Sequence, residues 1–115
     1  MRVETLNGRV IEAVKIYIVD DQPDGLPMEV ETEPFTLSHE VNKTIERIVR
    51  TARIEVGSVE YLTDSSTNKI NFYSIRPHTC AFSIGARNQA IKIAETIVTY
   101  IEQRLQKIRE VELAL

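Results

Sequence analysis

A tight-turn dipeptide, Asn7-Gly8, separates two β-branched and partly alternating runs near the start of the chain. The first run extends from Val3 to Leu6 and the second from Val10 to Val19. Asn-Gly readily adopts the positive φ angles of a type I′ turn, whose twist matches that of two paired antiparallel strands. The sequence therefore predicts a β-hairpin, and the fold must contain an antiparallel strand pair.

The order of a hairpin followed by a helix occurs twice. Ser38 is a suitable N-cap, and apolar residues follow it at helical spacing, namely Val41, Ile45, Ile48, Val49 and Ala52. A second hairpin is predicted from Val56 to Leu62 and from Ile70 to Ile75. From about Ala86, a long amphipathic helix is predicted by Ala90, Ala94, Ile97, Ile101, Leu105 and Ile108. The order ββαββα favours an α+β fold, a mainly antiparallel sheet with two helices packed on one face.

The segment between the first hairpin and the first helix is acidic. From Asp20 to Pro34 it contains three prolines, one glycine and six acidic residues, which predicts a long exposed loop. Five of its residues match positions of a calcium-binding loop, namely Asp20, Gln22, Asp24, Gly25 and Glu31. Flanking helices are not predicted and the prolines restrict the loop, so a solvated acidic segment is the favoured interpretation.

Composition excludes several classes of protein. A chain of 115 residues is predicted to form one domain, residues 1–115. The net charge of -3 argues against nucleic-acid binding, and no apolar run approaches the ~20 residues of a membrane span. Cys80, the single cysteine, cannot form an internal disulfide, and we expect it to be a small buried residue in a cytoplasmic protein. His39, His78 and Cys80 lack the spacing of a metal or thiol site.

An ordered series of short motifs runs through the chain. Arg2-Val3 is followed by Gly8 and Ala13, then by the strand Val59-Glu60-Tyr61-Leu62, and then by the strand that ends Ser74-Ile75-Arg76. In this order, the motifs resemble the carboxy-terminal lobe of ATP-grasp ligases, and the resemblance covers nearly the whole chain. The preceding lobe of that family, which grips adenine and phosphate, has no counterpart in these residues.

The resemblance implies a metal site that has lost two ligands. In the family, a carboxylate on one strand and a carboxylate-x-Asn on the next hold the magnesium that binds ATP phosphates. Glu60 stands at the first position as a vestigial metal ligand, but Ser74 and Arg76 stand at the other two. A cross-strand ion pair between Glu60 and Arg76 is favoured over a surviving site. Direct neutralisation of a phosphate by Arg76 is the alternative, and Arg2, at the family's arginine position, is a second candidate phosphate ligand.

Two functions are compatible with this pattern. The first is a catalytically inactive ATP-grasp-like lobe that serves as a binding or assembly module, without a cofactor or a catalytic residue. We expect its partner to be further copies of itself or the missing ATP-grasp lobe. The alternative is a fragment or subunit of a larger ATP-dependent carboxylate-amine or carboxylate-thiol ligase, which would use Mg and ATP. A calcium- or anion-responsive loop protein is a third class, based only on the acidic segment.

Overall fold

The computed structural model describes residues 1–20, 29–80 and 87–114. Within them, an antiparallel sheet has the strand order β3-β2-β1-β4-β5. The elements in chain order are β1 (Arg2–Leu6), β2 (Arg9–Asp20), β3 (Glu29–Pro34), α1 (His39–Thr51), β4 (Val56–Thr63), β5 (Ile70–Arg76) and α2 (Arg87–Ala114). The α+β class, the antiparallel sheet and the two helices are confirmed.

The first hairpin forms as its turn residues predict. Asn7 and Gly8 have φ angles of 51° and 75°, the pair of positive values that a type I′ turn needs. The turn is also tied to α1, since the Arg50 Nε–H donates to the Gly8 carbonyl at 3.0 Å. The hairpin thereby positions the helix that follows it in the chain.

The loop prediction for the acidic segment is wrong at its C-terminal end. Glu29–Pro34 forms strand β3 and pairs with β2, and the Tyr17 hydroxyl donates to Glu33 Oε1 at 2.7 Å. Prolines argued against a strand, but Pro34 is the last residue of an edge strand, where a missing N–H is tolerated. Gln22, Asp24 and Gly25 of the calcium-loop pattern lie outside the described residues.

Helix α1 covers one face of the sheet mainly through apolar side chains. The Ser38 hydroxyl accepts from the Val41 N–H at 3.3 Å, which confirms the predicted N-cap. One turn apart on the helix, Ile45 and Val49 are both fully buried. They form the core together with strand residues from β1, β2 and β4, namely Val3, Ala13, Val59 and Tyr61.

The placement of α2 differs from our prediction of two helices on one face. Successive strand residues alternate between the faces, so Leu6 points away from the α1 side that Val3 and Thr5 share. Leu6 lines a cleft with residues from Lys92 to Gln103 of α2. The first half of α2 therefore lies over the other face. Periodicity predicts that a helix has an apolar side, but it does not determine which face of the sheet that side covers.

The second half of α2 projects beyond the sheet. Every residue from 101 to 114 is exposed, and the principal dimensions are 60 × 32 × 22 Å. The radius of gyration is 16.8 Å, whereas a compact chain of this length has about 13 Å. No helix in the described part of the chain is both long and apolar enough to cross a membrane.

Candidate functional site

The predicted site residues lie on the α2 side of the sheet, where β1, β4 and β5 run side by side. Directly paired strand residues point to the same face. One row of paired residues contains Arg2, Glu60 and Ser74. The neighbouring row contains Glu4, Ser58 and Arg76. We call these six residues the polar face. As predicted, Glu60 lies opposite Ser74, and Ser74 shares its face with Arg76.

Glu60 is engaged by two neighbours on β5. The Tyr73 hydroxyl donates to Glu60 Oε2 at 2.7 Å, and Arg76 Nη1 lies 3.9 Å from Glu60 Oε1. The predicted ion pair is therefore present, although Arg76 is about half exposed, so that water weakens the attraction. Burial raises the pKa of Tyr73 to about 12, together with its hydrogen bond to Glu60 and the charge of that carboxylate.

A β-bulge explains why Tyr73 reaches Glu60. The β4–β5 register shifts after Glu60, which pairs with Ser74, whereas Tyr61 pairs with Phe72. Tyr73 is the extra residue between these two pairs, and a bulge redirects such a side chain. Tyr73 was not predicted from the sequence, because strict alternation places it on the face opposite to Ser74. An extra residue in a strand gives no signal in the sequence of that strand.

The most enclosed charged group of the polar face is Glu4, which was not among the residues predicted from the sequence. Its carboxylate accepts from the hydroxyl groups of Ser58 at 2.7 Å and Thr79 at 3.0 Å, and from the Cys80 N–H at 3.1 Å. Arg2 Nε lies 3.6 Å from the same carboxylate. Both charged side chains are about 5% exposed or less. The alternation that puts Arg2 on this face is a signal that could have located Glu4.

This arrangement bears on the two candidate phosphate ligands. Arg2 is enclosed beside Glu4, so a phosphate would have to compete with a buried carboxylate for the guanidinium. Arg76 is more accessible, and its Nη1 lies 3.4 Å from the Cys80 sulfur and 3.9 Å from Glu60. The two arginines lie in neighbouring rows on different strands, with Glu60 and Ser58 on the strand between them. Cations and carboxylates therefore alternate across the face.

A further carboxylate, Glu12, extends the polar face toward α2. It pairs with Glu4 across the β1–β2 ladder. Burial raises the pKa of Glu12, and the neighbouring Glu4 charge adds to this rise, whereas Lys92 of α2 and Arg2 oppose it. Glu12 is thus a partly buried acid at the junction between the sheet and α2.

The three residues predicted from the resemblance to stand at metal positions do not fit a magnesium ion. Magnesium takes near-octahedral oxygen ligands, usually including one or two carboxylates. Here both Glu60 oxygens already face a donor, Ser74 offers a neutral hydroxyl, and Arg76 is a cation. The described residues contain no group of three or more His, Cys, Asp or Glu side chains that could hold a metal.

The remaining predicted residues lie around this site or away from it. Cys80 is 5% exposed, which confirms the expectation that it is buried. His78 Nδ1 lies 4.0 Å from the Cys80 sulfur and 3.1 Å from the Thr79 carbonyl oxygen. His39 is exposed at the start of α1.

No protein family profile matches the sequence, and neither does any curated protein. Among solved structures, the chain is similar to the ATP-grasp ligase PsnB, determined in complex with a minimal precursor. The two share 17% sequence identity, and the similarity has a TM-score of 0.58 over 70% of this chain. The matched part is 27% of the ligase chain. This similarity shows an ATP-grasp-like fold, and the chain matches about a quarter of that ligase.

Proposed function

We propose that this chain is a catalytically inactive ATP-grasp-like lobe, equivalent to the carboxy-terminal lobe of the ligases, that acts as a binding or assembly module in the cytoplasm. The observation that carries the proposal is the state of Glu60. Its carboxylate accepts from Tyr73 and faces Arg76. By the sequence resemblance, Ser74 and Arg76 stand where the ligases have their other two metal ligands. The polar face is therefore neutralised by its own side chains.

The electrostatics support this proposal. A divalent ion beside Glu60 would lie close to the permanent positive charge of Arg76, 3.9 Å from that carboxylate. At such distances, the repulsion between like charges amounts to several kcal/mol near a protein surface. Glu60 alone provides too little charge to offset it, because its second oxygen already accepts from Tyr73.

The position of α2 also supports an inactive lobe. Its first half lies over the sheet face that contains Glu4 and Glu60, and Lys92 contributes to the electrostatics at Glu12. Phosphoryl transfer requires an accessible clamp of cations on the transferring group. Here Arg2 is buried beside Glu4 and α2 covers part of the face, so a nucleotide would have to displace contacts on both sides.

Thermal unfolding with and without Mg-ATP tests the proposal. A ligand that binds only the native state stabilises it by about 2.7 kcal/mol at a hundredfold excess over Kd, which corresponds to roughly 10 °C for a domain of this size. We expect no shift of the melting temperature. A saturable rise with Mg-ATP, absent with Mg alone or with ATP and EDTA, would contradict the proposal.

Restoring the ligands provides a positive control. Ser74→Glu combined with Arg76→Asn recreates the carboxylate-x-Asn pattern opposite Glu60. We expect this double variant to gain saturable Mn²⁺ binding in calorimetry, and the parent chain to show none. Arg76→Asn alone is the matched control, because it removes the cation without adding a carboxylate. Equal binding by the parent and the double variant would contradict an inactive site.

A second candidate function is a fragment or subunit of a larger ATP-dependent carboxylate-amine or carboxylate-thiol ligase. It is favoured by the coverage of the structural match, since the matched part of this chain is 27% of that ATP-grasp ligase chain. In that case, Mg and ATP would be held mainly by a further lobe, with Arg76 as the accessible cation on this one. Association with a separate polypeptide that depends on nucleotide would support the ligase function. Association that does not depend on nucleotide would support the assembly function.

A further inference from the structure

Helix α2 has an apolar stripe that the fold leaves uncovered. Its residues alternate at spacings of three and four, the heptad pattern of a coiled-coil seam. We call it the α2 seam, and it consists of Ile91, Ala94, Val98, Ile101, Leu105 and Ile108. The five large seam residues are each 45–53% exposed. The sequence predicts an amphipathic helix, and the structure shows which of its apolar residues are exposed.

The sheet covers a different side of the same helix. Ala90 and Ile93 are buried, at 9% and 5% exposed. At about 100° per residue, Ile93 and Ile97 lie to one side of the seam, so the sheet packs beside it. From residue 101 onward, every described residue of α2 is exposed. This projecting part is about 20 Å long at 1.5 Å per residue, and its seam is accessible along its full length.

We propose that the α2 seam packs against the α2 seam of a second copy of this chain, forming an antiparallel two-helix coiled coil. This inference deepens the assembly role proposed above and rests on it. A second copy matches the surface because an isolated heptad stripe is complementary to itself, and a two-fold axis lets each copy cover the other with the same residues.

The charges beside the seam select the antiparallel orientation. In a parallel coiled coil, the residues that flank the seam at heptad positions g and e of successive heptads lie beside each other across the pair. Here these residues are Arg104 and Arg109 of the second copy, and their repulsion occurs twice. In an antiparallel pair centred between Gln106 and Lys107, Glu102 lies beside Arg109 of the second copy. That attraction also occurs twice, so the orientation with opposite charges is favoured.

The same alignment places the apolar residues in register. Leu105 meets Ile108 of the second copy on both sides of the centre. Ile101 meets Glu112 of the second copy at each end of the paired segment, where that carboxylate lies near Arg104. The paired segment starts at residue 101, so an antiparallel arrangement places the two sheets at opposite ends of the pair.

The first experiment is sedimentation equilibrium of the full chain. We expect a species of twice the 13.1 kDa chain mass that dissociates on dilution. Leu105→Glu with Ile108→Glu should give a monomer at every concentration, with an unchanged fold by circular dichroism, because both positions are exposed. A wild-type chain that remains a monomer up to its solubility limit overturns the proposal, and so does a dimer that this double variant leaves intact.

The second experiment tests the orientation by charge reversal. Glu102→Arg and Arg109→Glu should each weaken the dimer by about five- to tenfold, because each creates two like-charge pairs. The combined variant should recover wild-type affinity. Glu110→Arg is the matched control, since it makes the same charge change on the polar side of α2 and should leave the affinity unchanged. If Arg109→Glu tightens the dimer, the helices are parallel and the antiparallel proposal is overturned.

These measurements separate this inference from the proposed function. If the chain is a monomer and Mg-ATP does not change its melting temperature, the seam pairing is overturned and the proposal of an inactive lobe still holds. If the chain is a dimer and binds Mg-ATP through the polar face, the proposal of an inactive lobe is overturned and the seam pairing still holds. A dimer that dissociates when a separate polypeptide binds, with Leu105→Glu blocking that binding, overturns the second copy as the occupant of the seam.

Discussion

The two faces of the sheet are covered in opposite ways. On one face, α1 buries an apolar cluster that includes Ile45, Val49 and Val59, all fully buried. On the other face, α2 lies beside two buried charged groups, Arg2 and Glu4, which form an ion pair, and Glu4 also accepts from the Ser58 hydroxyl. The first face gains stability from apolar surface removed from water. The second gains little net energy, but it loses much if one partner is removed.

The largest effect should come from Glu4→Ala. This change leaves the Arg2 cation, the Ser58 hydroxyl and the Cys80 N–H without their shared acceptor. Removing one partner of a buried charge pair costs about 3–5 kcal/mol. We expect a loss of that size in urea denaturation. Glu4→Gln is the control, because it keeps one oxygen acceptor and should lose less. Equal losses in the two variants would show that the charge itself carries the effect.

A smaller effect is expected on the apolar face. Ile45→Ala deletes a fully buried side chain between α1 and the sheet. Such truncations cost about 2–5 kcal/mol, depending on how far the cavity collapses. Leu62→Ala, at a strand position that is 61% exposed, is the matched control and should cost less than about 0.5 kcal/mol. A larger loss of stability for Ile45→Ala than for Glu4→Ala would contradict this difference between the two faces.

The parts of the fold that sequence predicts are those set by neighbouring residues. Asn7-Gly8 determines a turn, and Ser38 determines a helix start, because each acts on a backbone within a few residues of itself. The apolar period of α1 also identified Ile45 and Val49 as its inward side. These features are local, and their side-chain chemistry is sufficient to specify them.

The parts that sequence missed depend on distant partners. Strand β3 exists because β2 extends far enough to pair with it, although its own residues are acidic and flanked by prolines. The Tyr73 contact with Glu60 depends on a bulge against β4, and the enclosure of Glu4 depends on Thr79 and Cys80, which lie far along the chain. Register between strands is a tertiary property, so the composition of one strand does not reveal it.

Tyr73→Phe should slightly lower the free energy of unfolding. The variant removes the hydroxyl that donates to Glu60 at 2.7 Å, and the ring remains. Because Tyr73 is 58% exposed, water replaces much of the lost hydrogen bond, so we expect a cost of about 0.5 kcal/mol. The variant also frees one Glu60 oxygen, so its Mn²⁺ affinity is a useful second measurement. A gain of tight binding would show that Tyr73, and not Arg76, keeps metal away from Glu60.

The smallest expected effect is a pH dependence at Glu12. Burial raises its pKa above the usual 4.5, so the folded state binds the proton more readily than the unfolded state. Below pH 4.5, protonated Glu12 makes its full contribution to the free energy of unfolding. This contribution is lost as the pH rises through the raised pKa that Glu12 has in the folded state. Glu12→Gln should therefore be slightly more stable than the wild type at pH 7, with no advantage at pH 4.

Urea denaturation at both pH values measures this difference. Glu31→Gln, which removes an exposed carboxylate from β3, is the control and should show no such crossover between the two conditions. Lys92 of α2 lowers the Glu12 pKa through its charge, so Lys92→Met should enlarge the advantage of Glu12→Gln at pH 7. If Lys92→Met leaves it unchanged, α2 does not control the charge of the polar face, and the two faces differ only in the residues of the sheet itself.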